Sequence, residues 1–161
     1  MEERLRKESL TMNPFMQEAI EQARIGIREG HGGPFGAVIV KDGKIIGRGH
    51  NQVVKDNDPT CHGEVMAIHD ACKALGSFDL SGCEIYTTGE PCPMCLGAIL
   101  WANIDKVYYG CNVLDTDRIG FRDDVFYKRF GNREGFCEVP DRDECLKLYE
   151  EYSSIQDKVN Y

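Results

Sequence analysis

The chain has 161 residues, 42% of them hydrophobic and 29% charged, and a formal net charge of −8. That length suits one domain, and residues 1–161 are read as a single unit burying roughly two thirds of the unfolded surface. No apolar run approaches the roughly 20 residues of a membrane span. The pI near 5.0 argues against the basic face with which nucleic-acid binders contact phosphates. Arg118, Arg122, Lys128, Arg129 and Arg133 cluster but are interleaved with Asp and Glu, as on a mixed solvated surface.

The N-terminal MEERLRKESLTM lacks the apolar core and cleavage site of a secretory signal, which points to a cytoplasmic protein. From Asn13 to Glu29, Phe15, Met16, Ala19, Ile20, Ala23 and Ile27 fall at helical spacing. Asn13 is placed to cap this helix, Pro14 to start it and Gly30 to stop it. FGAVIVKDGKIIGRGHN then reads as a hairpin, Phe35 to Lys41 and Lys44 to His50, turning at Asp42-Gly43. A helix from His62 to Leu75 stops at Gly76, CEIYTT is a strand, and helical character resumes from Pro93 to Ala102. KVYYGC is a further strand and FCEV a fifth. Asp141 caps a closing helix to Ser154, with Glu144 at capping-box spacing. This alternation predicts an α/β fold in which a mixed sheet is covered by helices on both faces.

Eight cysteines are set in periodic segments such as TCHGEVMAIHDAC rather than in loops, which favours reduced thiols over a disulfide framework. Cys61, Cys72, Cys83, Cys111, Cys137 and Cys145 are read as small buried apolar residues. His31, His50 and His69 are read as ordinary polar or capping residues.

Cys92 and Cys95 stand apart. A Cys-x-x-Cys opening a helix puts both sulfurs near free backbone N–H groups, which favour the thiolate form that binds zinc. His62, at the start of another helix, makes a third ligand. Three protein ligands leave one tetrahedral position for water, as catalytic zinc sites do. Glu64 lies two residues on and reaches that water without ligating if His62 sits outside the helical register. The metal lowers the pKa of such a water toward about 7, and Glu64 is placed to carry the proton. Two alternatives stand beside this reading. The Cys pair alone could be a redox motif, and a structural zinc knot could recruit Cys61 or Cys83.

The pairing of His-x-Glu with Pro-Cys-x-x-Cys is the signature of zinc-dependent deaminases. Over nearly its whole length the chain resembles the cytidine and deoxycytidylate deaminase superfamily. GGPFGAVIVKDGKII, GHN, NDPTCHGE, EPCPMCLGAI, WA, GFRDD and the terminal Lys158-x-x-Tyr161 are most similar to short bacterial guanine deaminases. The resemblance implies a three-layer α/β/α sandwich with a five-stranded mixed sheet. It implies one zinc per chain on His62, Cys92 and Cys95, with Glu64 as the catalytic proton shuttle. Asn51 and Phe35 would hold the base, and Trp101 and Asp123 would approach it. The substrate implied is a small-molecule nucleobase, guanine, converted to xanthine and ammonia. The partner implied is a second copy of the chain, in a dimer whose residues 153–161 form a C-terminal tail able to swap between subunits. No nucleic acid or membrane partner is expected.

Gly63 departs from the family's common His-Ala-Glu, and the missing methyl beside the metal could admit a differently shaped substrate. Other substrates consistent with the motifs are cytosine, a nucleoside, a pterin-like base or adenosine in transfer RNA. A non-catalytic zinc-stabilised interaction module is the reading of a different class, and Glu64 with an open fourth position argues against it.

Overall fold

The computed structural model describes residues 1–3, 12–131, 135–137 and 139–161. The first long helix, α1 (Pro14–Arg28), starts where Asn13 caps it: the side-chain oxygen accepts the N–H groups of Phe15 and Met16 at 2.8 and 3.1 Å. β1 (Gly36–Lys41) and β2 (Lys44–His50) form the expected hairpin. Asp42 and Gly43 both take positive φ, 49° and 75°, as a type I′ turn requires. A short helix, α2 (Val53–Asp56), leads to α3 (Gly63–Leu75), which Gly76 ends in the left-handed conformation. β3 (Cys83–Gly89), α4 (Pro93–Trp101) and β4 (Lys106–Cys111) follow. Three helices complete the chain: α5 (Val113–Arg118), α6 (Asp123–Phe130) and α7 (Arg142–Ser154).

The strand order is β2-β1-β3-β4. β1 runs antiparallel to both neighbours, and β3 and β4 are parallel, so the sheet is mixed. Alternation along the strands divides the core in two. Ala37, Ile39 and Ile85 face α3 and α4, packing on Ala67, Ala71 and Ile99. Val38, Val40 and Tyr86 face α1, packing on Ala19, Phe15 and Met16. Helices therefore cover both faces, as the alternation of elements predicts.

The sheet has four strands among the described residues, not five. Phe136 and Cys137 lie in a turn and irregular chain, Val139 is in no strand, and Glu138, like Arg133, falls outside the described residues. Phe136 and Val139 are both strongly exposed, so neither side chain is packed against the sheet. Asp141 does precede α7, but with φ +51° and no side-chain cap, so no capping box forms; Glu144 pairs with Lys147 at 2.7 Å instead. The cysteine expectation holds for Cys83, which is buried. Cys61 and Cys72 are half-buried, and Cys111, Cys137 and Cys145 are exposed because no further layer covers the segments that carry them. All eight are free.

β2 meets α3 through bare backbone. A methyl at Gly49 would come 2.4 Å from the Ala67 nitrogen and 2.5 Å from the Gly63 oxygen; at Gly47 it would come 2.6 Å from the Ala67 oxygen. This close approach sets where α3 begins. Gly49→Ala is expected to lower stability by about 1–3 kcal/mol through overpacking, read as a reduced urea midpoint with unchanged m-value.

Candidate active site

His62 and Cys92 occupy matching positions. Each is the extended residue immediately before a helix, with φ/ψ of −72°/157° and −66°/168°, and neither uses its side chain to cap that helix. Both side chains are thus free to point at a common centre. Pro93 supplies the first residue of α4 without wasting a backbone donor, and Cys95 lies one turn in, beside Cys92. His62 Nδ1 stands 3.6 Å from Cys92 Sγ and 3.5 Å from Cys95 Sγ, and the three atoms lie within 4.8 Å of one another.

The donor set fits zinc. Bonds of about 2.1 Å to imidazole and about 2.3 Å to thiolate, at a tetrahedral angle, put the two donors about 3.6 Å apart. The charges fit as well. The Cys92 thiol is held down to about 4, chiefly by the hydrogen bond from the Cys95 thiol and further by His62. The Cys95 thiol is pushed strongly upward by the Cys92 sulfur, by burial and by Glu64. Two adjacent thiolates beside a carboxylate need a cation between them. His62, drawn upward by its contact with Cys92, would ligate as the neutral ring.

Glu64 is the second residue of α3 and only 6% exposed. Because His62 lies outside the helical register, the two side chains reach the same space. Burial raises the Glu64 carboxyl above the usual range. It opens on a cavity of about 380 Å³, a size suited to a small molecule.

Phe35, Asn51 and Asp123 all line that cavity with His62, Glu64 and Cys92. Asn51 is 5% exposed; its backbone N–H donates to the Phe35 carbonyl at 2.9 Å, and its side-chain oxygen accepts from Val53 N–H at 3.1 Å. The Phe35 ring meets Phe121 edge-on, with centroids 4.9 Å apart. Asp123 begins α6, and burial pushes its carboxyl upward.

Trp101 is not brought to this cavity. It ends α4, 68% exposed, with its ring 6.0 Å from Tyr161. The rise of about 1.5 Å per residue along α4 carries it away from the turn that holds Cys92.

Gly63 also differs from expectation. A methyl there would meet the Phe35 oxygen at 3.0 Å and the Gly36 Cα at 3.4 Å. The position faces the start of β1 and is not among the residues lining the cavity. Its glycine therefore governs how closely α3 approaches β1 and adds no room for substrate.

Several lining residues escaped the sequence reading: Glu90, Phe121, Arg122 and Phe126. Glu90 directly precedes Pro91-Cys92, a position that could have flagged it. The others lie around the eight-residue α6, too short for a clear periodic signal. α6 is fastened to the metal turn by Tyr127, whose hydroxyl donates to the Pro91 carbonyl at 2.5 Å; burial and then Glu90 push that phenol up to about 12.

The family model for the cytidine and deoxycytidylate deaminase zinc-binding region matches residues 11–111, which span both ligand segments and Glu64. The chain belongs to this deaminase family. Among its curated relatives, the guanine deaminase of Bacillus subtilis is 53% identical over 114 residues, 71% of this chain and 73% of that protein. The X-ray structure of that enzyme superposes with a TM-score of 0.86, covering 93% of this chain and 99% of its own at 44% identity. The tRNA-specific adenosine deaminase of Aquifex aeolicus is 43% identical over 95 residues, 59% of this chain and 62% of that protein. A guanine deaminase structure from Nitrosomonas europaea gives a TM-score of 0.65 at 32% identity, covering 69% of this chain and 65% of that one. The matched model describes a zinc-binding region, and in this chain His62, Cys92 and Cys95, all within it, are positioned to hold the ion.

Metal analysis after dialysis against a weak chelator is expected to find one zinc per chain in the native protein and none in His62→Ala. Full retention in that variant would place the metal elsewhere.

Proposed function

We propose that the chain deaminates free guanine to xanthine and ammonia, with Glu64 as the proton carrier. The observation that carries this reading is the buried Glu64 carboxyl, set beside three metal-binding side chains and opening on a cavity walled by Phe35 and Asn51. Zinc bound by His62, Cys92 and Cys95 supplies the Lewis acidity that makes water a nucleophile near neutral pH. Glu64 takes a proton from the attacking water as its oxygen adds to C2 of the base. The carboxylic acid so formed protonates the adjacent ring nitrogen. The carboxylate then takes the remaining proton from the hydroxyl added at C2 and passes it to the amine, and as the C2=O bond forms the C–N bond breaks to release ammonia. Water and guanine are consumed, xanthine and ammonia are formed, and Glu64 ends as it began.

Phe35 offers a flat apolar wall to the base, and Asn51 an amide for its polar edge. Asp123 faces the same space and would bind the polar edge of the purine. Guanine is preferred over adenosine in transfer RNA because the guanine deaminase of Bacillus subtilis is 53% identical and its structure aligns along 99% of its own length, against 43% identity and 62% of the length for the Aquifex tRNA-specific adenosine deaminase, and because the net charge of −8 opposes a polyanion.

The same proposal includes a cytoplasmic homodimer in which residues 153–161 cross to the partner. Leu148, Tyr149 and Ile155 of the C-terminal segment are exposed, as is Trp101, and such apolar surface fits a partner subunit. The exposed free thiols suit a reducing compartment.

Ammonia release should be measured across guanine, adenine, cytosine, their nucleosides and transfer RNA. Guanine should give the highest kcat/KM, and Glu64→Ala should lose roughly 10²–10⁴-fold in kcat. Equal turnover by that variant would rule out the proton-carrier role, and a preference for another substrate would reassign the pocket.

A further inference from the structure

Two histidines outside the metal cluster contact each other directly. His31 Nδ1 lies 2.8 Å from His50 Nε2, with the ring centroids 5.1 Å apart and the planes 16° apart, so the two rings meet edge to edge. The contact is built into the fold. α1 presents a glycine to the His50 ring: a methyl on Gly26 would come 2.8 Å from His50 Cδ2. His31 is held beside the end of α1, its N–H donating to the Gly26 carbonyl at 2.9 Å.

The next residue in each strand of chain is a wall of the substrate cavity. Gly32 follows His31 and Asn51 follows His50, and both line that cavity. They also touch each other, since a methyl on Gly32 would fall 2.1 Å from the Asn51 side-chain oxygen. The His31 carbonyl further accepts the N–H groups of Val54 and Lys55, at 3.0 and 3.1 Å, tying α2 to the same loop. Val54 lines the cavity too.

We propose that the His31–His50 hydrogen bond is a clasp that positions Asn51 and the Val53–Val54 wall for substrate, and that a second proton on the pair opens it. This rests on the reading of the cavity as the nucleobase site. The two histidines are positioning residues, because neither ring lines the cavity.

The proton count follows from the two facing nitrogens. If both rings are neutral, one donates and the other accepts. If one ring is charged, it donates to its neutral partner. If both are charged, two donors face each other and the bond cannot form. The titratable and charged groups acting on His50 are His31 from the loop and Lys55 and Asp56 from α2, while α1 brings Gly26 against the ring. Burial, His31 and Lys55 lower the His50 imidazole below its ordinary value, and Asp56 acts against them more weakly. A lowered imidazole is neutral at pH 7 and protonates only on acidification, so the clasp is closed at neutral pH and opens as the pH falls.

KM and kcat for guanine should be measured from pH 8 to pH 5 in the native protein, His50→Gln and His50→Ala. Glutamine can bond to His31 whether or not that ring is charged. In the native protein KM should rise about tenfold per pH unit once the pair takes its second proton, as the competent fraction falls, with kcat following the profile it has in His50→Gln. His50→Gln should lack the KM limb, and His50→Ala should show a raised KM at every pH. Superimposable KM profiles for the native protein and His50→Gln would overturn the clasp while leaving guanine deamination intact. If no base is turned over, the functional reading fails separately, and amide exchange at Val54 and Lys55 decides the clasp. Exchange that quickens at acid pH in the native protein but not in His50→Gln sustains it; identical exchange overturns it.

Discussion

Two helices begin at one point, and the rest of the site follows from what that does to charge. Cys92, Cys95 and Glu64 are all buried there, and three such groups cannot share a low-dielectric space as anions without compensation. The amino-terminal ends of α3 and α4 contribute partial positive charge. Helix ends alone would leave the second thiol protonated, as the opposed shifts of Cys92 and Cys95 indicate. A divalent cation on His62 and the two sulfurs resolves that conflict. Glu64, buried beside that cluster and not part of it, keeps its carboxyl for proton transfer.

The scaffold's contribution is to bring those helix ends together accurately. β2 presses on α3 through Gly47 and Gly49, and Gly63 lets the first turn of α3 lie against the backbone of Phe35. Asn51 is tied to Phe35 by a backbone hydrogen bond, so the same contacts that place the metal also place two walls of the cavity. On the far side, Tyr127 ties α6 to the turn bearing Cys92. His62, Glu64, Cys92, Cys95, Phe35 and Asn51 therefore sit at or beside the ends of helices and strands, which is where precise positioning is most easily held.

The parts legible in the sequence were those with a local physical signal. Asn13-Pro14 and Gly76 mark helix ends through their own backbone chemistry, Asp42-Gly43 marks a hairpin, and His-x-Glu with Pro-Cys-x-x-Cys carries its metal chemistry in its spacing. What was not legible depended on tertiary placement. Asp141 looked like a cap but adopts a left-handed backbone that cannot cap in that way. FCEV had the composition of a strand, but its exposed Phe136 and Val139 face no second layer. The place of Trp101, which α4 sets on a surface away from this chain's cavity, could not be read from its position in a motif. Gly63 looked like a widening of the pocket until the direction of its absent methyl was known. The pairing of His31 with His50, nineteen residues apart, had no signal in either residue's neighbourhood.

The central claim is an open metal centre with three protein ligands. Zinc-edge X-ray absorption on the purified protein tests it most directly. Two sulfurs at about 2.3 Å, one imidazole nitrogen at about 2.0–2.1 Å and one further oxygen at a similar distance are predicted. A shell closed by a third sulfur, or one with four protein ligands and no oxygen, would contradict it.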